Sequence, residues 1–332
     1  MADTGVWRKT LLMGAALCLL LTGCGTGGGT GSGEEGLTVL TIGTADSGGT
    51  MYTVGSALAQ AITNGDSSIK VNIGASTGSA MNVRGLVGGE IDLGLVSGDV
   101  AYAAYYGQDD FSQPMESLRA VAALYVSTSN WIAPQSVGAE YVHDLVGKRI
   151  GVGPQESTTE LSARTAVTVL GLDQGGTQLL NCGLGDGARM VEQGELDAIH
   201  GFSGAPVGGL KELAQNQPCQ LLKYTQEELE AILAENQSYY PVVIPAGTYA
   251  GQEEDVDTFG VKCLLCVDVS MDEELVYSMT QALWESADIM GELYPAMSVL
   301  SDRDFLCEDL PIPLHDGAQR FYEEVCPELV SK

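Results

Sequence analysis

The sequence predicts an α/β fold divided into two lobes that are joined by a hinge, with a ligand cleft at their interface. From Leu37 onward, short β-rich runs alternate with helical periods, which is typical of α/β folds with mostly parallel sheets. Two extended runs, Asn130–Ala133 and Val261–Val269, are separated by more than a hundred residues of this alternating pattern. We interpret these two runs as the crossings between the lobes.

The crossings predict the domain boundaries. Residues 37–129 and 268–332 form lobe 1, which is therefore built from both ends of the chain, and residues 130–267 form lobe 2. The strands that the pattern predicts are Leu37–Ile42, Ile69–Ile73, Ile91–Val96, Leu118–Tyr125, Lys148–Val152, Gln178–Asn181, Asp197–His200 and Gln220–Tyr224.

The N-terminus has the pattern of an export signal. Arg8 and Lys9 precede the apolar run Leu11–Leu21, which is too short to span a membrane. The run ends in Leu-Thr-Gly-Cys24, which resembles the lipobox of bacterial lipoproteins. We therefore predict a signal peptide over residues 1–23, a lipid on Cys24 and a flexible Gly-rich tether over residues 24–36. The alternative is a plain signal peptide in which this cysteine is incidental.

The composition excludes several classes of function. The formal net charge is −29, and a surface this acidic repels phosphate backbones and anionic lipid headgroups. Nucleic-acid binding and a purely electrostatic membrane attachment are therefore excluded. The chain has only three histidines, so we expect no metal site and no cofactor. Cys307 and Cys326 are candidates for a disulfide in an exported protein.

Three strand–loop–helix junctions carry the functional signal. Their loops are Gly43–Gly49, Gly74–Ser79 and Gly153–Thr159, and each brings small or hydroxyl residues to a helix N-terminus. The backbone N–H groups and the positive end of the helix dipole form a site for a carboxylate or another anion. Carboxyl ends of strands form the ligand crevice in open α/β sheets. We therefore predict one shared anion-binding cleft.

Each of these residues also has an alternative without a ligand. Ser157 and Glu160 fit a capping box, and most hydroxyl residues before helices are only caps. Asp99 fits either a helix N-cap or a counter-charge for a ligand ammonium, and Tyr52 and Tyr125 fit either packing or ligand stacking. The predicted ligand-binding residues are Ser47, Gly48, Gly49, Thr50, Tyr52, Ser76, Thr77, Ser79, Asp99, Tyr125, Glu156, Ser157, Thr158, Thr159, Phe202 and Ser203.

The chain resembles the TAXI-type solute receptors of TRAP transporters, which are class II extracytoplasmic solute-binding proteins. The resemblance spans nearly the whole mature chain. It is carried by Ile42–Tyr52 with Gly55, Thr77–Asn82 with Gly89–Asp92 and Asp99, Leu145–Gly153 with Ser157 and Thr159, Ile244–Tyr249, and Leu314–Tyr322.

The resemblance implies a class II periplasmic-binding-protein fold and a role in transport rather than catalysis. Family members bind small carboxylates, notably glutamate or glutamine, and deliver them to a permease driven by an ion gradient. This chain departs from the family at Glu156-Ser-Thr-Thr159, where the family has Gly-Ser-Gly-Thr, and at Ser97, where it often has Gln. A cleft-facing Glu156 disfavours a dicarboxylate and favours a ligand with a cationic group.

Two other functions are weighed against this one. The first is a binding protein of an ABC importer or of a sensor system, which has the same fold. The second is a hydrolase that uses Ser203, which lies close to His200 in the sequence. Such a nucleophile needs an oriented base within hydrogen-bond reach and an oxyanion hole.

Overall fold

The structure is a computed structural model, and it describes residues 37–327. The predicted signal peptide, the tether and Cys24 lie outside the described residues. Residues 37–327 belong to one compact unit. Within the part that the structure describes, no helix is both long enough and apolar enough to cross a membrane.

Strands and helices alternate along most of the chain, as the sequence predicts. The strands are β1 Thr38–Gly43, β2 Ile69–Gly74, β3 Leu93–Ser97, β4 Leu118–Pro134, β5 Arg149–Gly151, β6 Gln178–Leu180, β7 Ala198–Ser203, β8 Cys219–Leu221, β9 Tyr240–Ile244 and β10 Val256–Asp268. The α-helices are α1 Thr50–Gly65, α2 Ser79–Val87, α3 Gly98–Tyr106, α4 Thr158–Val169, α5 Leu184–Glu192, α6 Gly208–Asn216, α7 Gln226–Glu235, α8 Glu273–Leu293 and α9 Asp316–Val325.

The sheet is mixed rather than mostly parallel, which corrects the prediction. Its order is β2-β1-β3-β10-β4-β7-β5-β6, with β8 paired to β4 and β9 paired to β10. The outer strands on each side pair in parallel, because helices connect them. At the centre, β4 and β10 pair antiparallel from Thr128 opposite Gly260 to Leu118 opposite Asp268. These two long strands run in opposite directions because one leaves the first half of the sheet and the other returns to it.

The apolar core is divided along the same central strands. Two hydrophobic clusters draw their buried residues from 40–125 and 263–322. Two others draw theirs from 131–261. We keep 129/130 as one proposed boundary between the lobes. For the second, the clusters favour a position near residue 262 over the predicted 267/268, because Cys263 and Val267 pack with the first and last parts of the chain. Cys263 and Cys266 belong to different clusters, because residues three apart on a strand face opposite sides of the sheet.

For helix α2, apolar periodicity predicts a buried face of Met81, Val83, Leu86 and Val87, and the structure differs from this prediction. Val83 and Leu86 are buried, but Met81 and Val87 are 45% and 39% exposed. The buried face includes the polar Asn82, whose amide donates to the carbonyl oxygens of Thr44 and Leu95 at 2.7 and 2.8 Å. Apolar periodicity misplaces this face because a hydrogen-bonded polar residue occupies one of its core positions.

Candidate functional site

Helix α1 begins where the chain leaves β1. Its N-cap is Gly49, which provides no side-chain cap. The first amide of the helix, Thr50 N–H, donates to Ser203 Oγ at 3.1 Å, and Thr50 Oγ1 donates to the carbonyl oxygen of Gly204 at 2.7 Å. The predicted glycine loop therefore contacts the end of β7, which comes from the middle of the chain.

Helix α2 begins after a loop that its own hydroxyl groups hold in shape. Ser76 Oγ donates to the carbonyl oxygen of Thr44 at 2.8 Å and accepts from Gly78 N–H at 3.0 Å. Ser79 Oγ accepts from Ser97 N–H at 2.9 Å. Gly78, the N-cap, has a φ of 125°, which favours glycine. The hydroxyls of Ser76 and Ser79 therefore support the loop, and Thr77, which is exposed, and Gly78 are the residues of this loop that line the cavity described below.

Helix α4 has the cap that the sequence alternative describes. Ser157 Oγ accepts from Glu160 N–H at 3.2 Å. The Glu160 carboxylate accepts from Glu156 N–H at 2.7 Å, one residue before the cap. Glu156 has a φ of 61°, and its side chain points outward to Arg84, with 3.7 Å between Oε2 and Nη1. The Glu156 carboxylate, 60% exposed, therefore lies at the rim.

The N-termini of α1 and α4 and the loop before α2 meet at one cavity of about 30 Å³, which we call the amide cavity. A water molecule needs at least about 10–15 Å³, so this volume holds about two oxygen-sized groups. The two halves of the chain both contribute to its wall. It is lined by Ala45, Asp46, Gly49, Met51, Thr77, Gly78, Pro154, Ser157, Thr158, Thr159, Leu184, Phe202 and Ser203.

The carboxylate of Asp46 in this wall is already neutralised in part. Asp46 Oδ2 accepts from Leu184 N–H, the first amide of α5, at 2.8 Å. A carboxylate at a helix N-terminus interacts favourably with the helix dipole. Asp46 therefore ties the first loop to α5, and α5 offsets its negative charge.

A group of buried polar atoms lacks hydrogen-bond partners near this cavity. Within residues 37–327, no partner is found for Ser97 Oγ, Asp99 Oδ2, or the hydroxyls of Tyr125 and Tyr239. Asp99 is only 5% exposed, and Tyr239 is 6% exposed. Buried polar groups in native structures nearly always have a partner. These orphaned atoms therefore indicate a place where a ligand or ordered water supplies one.

Burial controls the electrostatics of this group. Burial raises the pKa of Asp99, and the hydrogen bond that Val100 N–H donates to Asp99 Oδ1 at 2.9 Å only partly opposes it. Burial, with the nearby Asp99 carboxylate, also raises the pKa of Tyr239 well above its usual range. Burial likewise raises the pKa of Tyr125. Asp99 is therefore a buried carboxyl group that lacks a cationic partner among the described residues.

The N-cap alternative for Asp99 is wrong. The N-cap of α3 is Ser97, and Asp99 lies in the first turn. Asp99 lines a second cavity of about 280 Å³, which adjoins the amide cavity because both are lined by Ser157 and Thr158. Glu156 also lines this second cavity.

The remaining predicted residues are distributed around this centre. Ser47, Gly48, Gly49 and Thr50 line a third cavity of about 460 Å³ on the other side of the α1 N-terminus. Tyr125 is fully buried, whereas Tyr52 is half-buried and is absent from the lining of these three cavities.

The geometry required for a serine hydrolase is absent at Ser203. Ser203 Oγ is the acceptor for Thr50 N–H, and His200 Nε2 instead lies 2.9 Å from Ser162 Oγ. Both Ser162 and His200 are fully buried. Burial lowers the pKa of His200 to about 3, so its imidazole is neutral at pH 7. Residues three apart on β7 face opposite sides of the sheet, which separates His200 from Ser203.

Sequence reasoning missed two residues of the site. Tyr239 lies just before β9, more than a hundred residues from Asp99, and no motif marks it. Asp46 was visible in the first loop, but its contact with α5 depends on the tertiary fold. An acidic residue among small residues before a helix is a signal that could have identified Asp46.

Several solved structures are similar to this chain at low sequence identity. A protein from Bordetella bronchiseptica RB50 is 17% identical, with 89% of this chain and 92% of that chain covered and a TM-score of 0.51. The alkanesulfonate-binding protein SsuA from Xanthomonas axonopodis pv. citri, bound to MOPS, is 14% identical, with coverage of 86% and 83% and a TM-score of 0.49. The substrate-binding protein of an amino acid ABC transporter is 13% identical, with coverage of 80% and 98% and a TM-score of 0.45.

At these identities the likeness concerns the fold alone. The fold is α/β, as the sequence predicts, and the Bordetella structure shares it over most of both chains. A family model described as the NMT1-like family matches residues 42–325, which is most of the chain. The protein therefore belongs to the NMT1-like family.

Proposed function

We propose that this protein is an extracytoplasmic solute-binding protein that captures a small amino-acid-like carboxylate. The observation that carries the proposal is the convergence of helix N-termini on the amide cavity, beside the buried Asp99, whose Oδ2 has no hydrogen-bond partner among the described residues. The helix N-termini provide partial positive charge for an anion, and Asp99 provides negative charge for a cation. This pair of charges matches the carboxylate and the ammonium of an amino acid.

The carboxylate is assigned to the amide cavity. Its volume of about 30 Å³ suits the two oxygens of one carboxylate group. No lysine or arginine is among the residues that line it, so the attraction comes from backbone amides and hydroxyl groups. The partial compensation of Asp46 by α5 keeps repulsion of the carboxylate small.

The ammonium is assigned to Asp99. A ligand that extends along the first turn of α4 passes Ser157 and Thr158, which line both the amide cavity and the cavity of Asp99. An ammonium there supplies the missing partner of Asp99 Oδ2. An opposite charge at this distance favours the ionised carboxylate, and it therefore opposes the effect of burial on the pKa of Asp99.

Capture requires the rims of the site to separate. Thr50 with Ser203, Asp46 with Leu184, and Arg84 with Glu156 connect residues of the first part of the chain to residues of the middle part. The amide cavity alone is too small for a whole amino acid. We propose that the lobes open about the β4 and β10 crossings, admit the solute and close again.

The delivery partner is proposed from the sequence resemblance. The TAXI-like blocks support a TRAP permease driven by an ion gradient, and the same fold also serves ABC importers and sensor systems. Solute uptake decides between these partners when it is measured in cells that express the protein together with the membrane proteins encoded by adjacent genes. Dissipating the ion gradient stops TRAP-dependent uptake, and uptake that instead follows ATP depletion alone contradicts the TRAP assignment.

The lipid anchor is tested separately. We propose that Cys24, which lies outside the described residues, carries a lipid that holds the protein on the outer face of the cell membrane. We expect Cys24→Ala to release the protein from membranes, with incorporation of a radiolabelled fatty acid lost. Unchanged labelling and membrane attachment of this variant would contradict the anchor. Cys18→Ala, within the predicted signal peptide, is the matched control.

The binding function is tested by a thermal-shift screen of L-amino acids, their methyl esters and the matching 2-oxo acids. We expect at least one amino acid to raise the melting temperature in a saturable way. Its methyl ester lacks the anionic carboxylate, and its 2-oxo acid lacks the ammonium, so both should bind more weakly. A screen in which no amino acid binds, or in which the ester binds as well as the acid, overturns the proposal.

A further inference from the structure

The cavity beside Asp99, which we call the acidic cavity, has an unusual concentration of negative charge. It has a volume of about 280 Å³, close to the lower end of the size of small-molecule sites. The carboxylates in its lining are Asp99, Asp109, Asp110, Glu156 and Glu160, and Arg164 is its one cationic lining residue.

The cations near this cavity neutralise only part of the charge. Arg164 forms an ion pair with Glu160, with 2.7 Å between Nη2 and Oε1. Arg84 pairs with Glu156 at 3.7 Å, and both side chains are well exposed. Among residues 37–327, no ion pair involves Asp99, Asp109 or Asp110. Three acidic residues of the lining, the buried Asp99 and the exposed Asp109 and Asp110, therefore have no ion-pair partner among the described residues.

Acidic residues alone do not make a site, but Asp99 provides an independent observation. Asp99 is only 5% exposed and lines the acidic cavity. Its Oδ2 has no hydrogen-bond partner among the described residues. A buried carboxyl oxygen without a partner carries a desolvation cost. A bound cationic group would remove that cost.

The rest of the wall suits a hydrocarbon chain. Val100, Ala103 and Phe111 line the cavity and are buried, and Leu161 lies at its exposed side. Long cationic side chains commonly lay their methylene groups along apolar surface and keep the charged end near polar groups. The acidic cavity thus combines an apolar wall with a carboxylate-lined mouth formed by Asp109 and Asp110.

We infer that the solute is a basic amino acid, whose side-chain ammonium or guanidinium occupies the acidic cavity. This inference rests on the proposed function, in which the α-carboxylate lies in the amide cavity and the α-ammonium at Asp99. The side chain then extends from Asp99 toward Asp109 and Asp110. A dicarboxylate such as glutamate places a negative charge in the same space, where like charges disfavour it.

Three ligands of nearly equal length separate this inference from the proposed function. L-lysine carries both groups, L-norleucine lacks the side-chain ammonium, and cadaverine lacks the carboxylate. Isothermal titration of the full chain should give a Kd for lysine about tenfold or more below that for norleucine. Equal affinities for lysine and norleucine overturn the basic-solute inference and leave the binding function standing. Cadaverine that binds as tightly as lysine overturns the carboxylate site instead.

A double variant tests the cavity itself. Asp109→Asn with Asp110→Asn should weaken lysine binding by about tenfold and leave norleucine binding unchanged. Asp109 has a φ of 52°, and asparagine tolerates this conformation well, so the fold should be retained. Glu253→Gln with Asp257→Asn removes two exposed charges that lie outside the lining of the acidic cavity and is the matched control. The assignment is refuted if both double variants lose lysine affinity equally, or if neither loses any.

Discussion

Replacing Asp99 with asparagine tests the central assumption of the proposed site, namely that this buried carboxylate holds the cationic part of the solute. The substitution keeps the size of the side chain and removes its charge. Asp99 is 5% exposed, and its Oδ2 has no partner within residues 37–327, so the change removes no internal ion pair. The expected loss of affinity therefore reports on the ligand rather than on the fold.

The expected loss follows from the burial of the site. Truncating one partner of a buried, hydrogen-bonded charge pair costs about 2–5 kcal/mol, and a 100-fold loss of affinity corresponds to about 2.7 kcal/mol. At a ligand concentration of 100 times Kd, binding stabilises the wild-type protein by about 2.7 kcal/mol. At the same concentration, a variant with a 100-fold weaker Kd gains only about 0.4 kcal/mol.

The assay is the ligand-dependent shift of the melting temperature. For a domain of this size, 1 kcal/mol moves the melting temperature by about 2 °C, so we expect a shift of about 5 °C in the wild type and about 1 °C in Asp99→Asn. Asp257→Asn, which removes an exposed carboxylate on β10, should behave like the wild type. A full ligand shift in Asp99→Asn would refute the role of this carboxylate.

The same variant without ligand provides a second readout. Burial raises the pKa of Asp99 above its ordinary value of 3.8, so the ionised form destabilises the folded state. This cost is absent below about pH 3.8, grows as the pH rises toward the folded pKa, and stays constant above it. Asp99→Asn should therefore be more stable than the wild type at pH 7, and the difference should vanish near pH 3.5.

Further predictions concern acid stability and the core. Burial lowers the pKa of His200 from 6.5 to about 3. Between these two values the unfolded state binds a proton at this histidine and the folded state does not, so the free energy of unfolding falls as the pH decreases from 6.5 toward 3. At pH 4.5 the free energy of unfolding of the wild type should be about 3 kcal/mol below its value at pH 6.5. In urea titrations, this decrease should be smaller in His200→Gln and unchanged in the exposed control His143→Gln. An equal loss in all three proteins would contradict this. Leu283 of α8 is fully buried, so Leu283→Ala should lower the free energy of unfolding in urea by about 2–5 kcal/mol. Ile289→Ala on the same helix, 61% exposed, should change it by less than about 1 kcal/mol, and similar effects of both would contradict the packing.

The order of elements was accessible from local sequence patterns. The β-rich runs place β1 to β3 and β5 to β8 within a few residues, whereas the separate runs Leu118–Tyr125 and Asn130–Ala133 belong to one long strand, β4. Periodicity alone misassigned Met81 and Val87 of α2. The polar Asn82 occupies a buried position of this helix, because its amide donates hydrogen bonds to two other segments. The direction of the central strands was also missed, since strand polarity depends on how distant segments meet.

The candidate site was accessible only in part. Gly49, Thr77 and Ser157–Thr159 were recognisable because loops before helices concentrate small and hydroxyl residues, and the fold does bring them to one cavity. The roles of individual side chains were not recognisable. Glu156 points toward Arg84 at the rim, and the hydroxyls of Ser76 and Ser79 hold loops, because each is decided by neighbours that lie far away in the sequence.

The sequence by itself determined the α/β class, the alternation of strands and helices, and the amide-rich turns, because these depend on contacts within a few residues. Only the tertiary structure decided which turns face one another and that Asp109 and Asp110 share a cavity with Asp99. It also decided that, within residues 37–327, Asp99 Oδ2 and the Tyr239 hydroxyl are buried without a hydrogen-bond partner. Burial and missing partners are properties of the whole packing arrangement. They arise from contacts between distant segments, such as those of Asp99 and Tyr239, which are more than a hundred residues apart. Local sequence patterns do not encode such contacts.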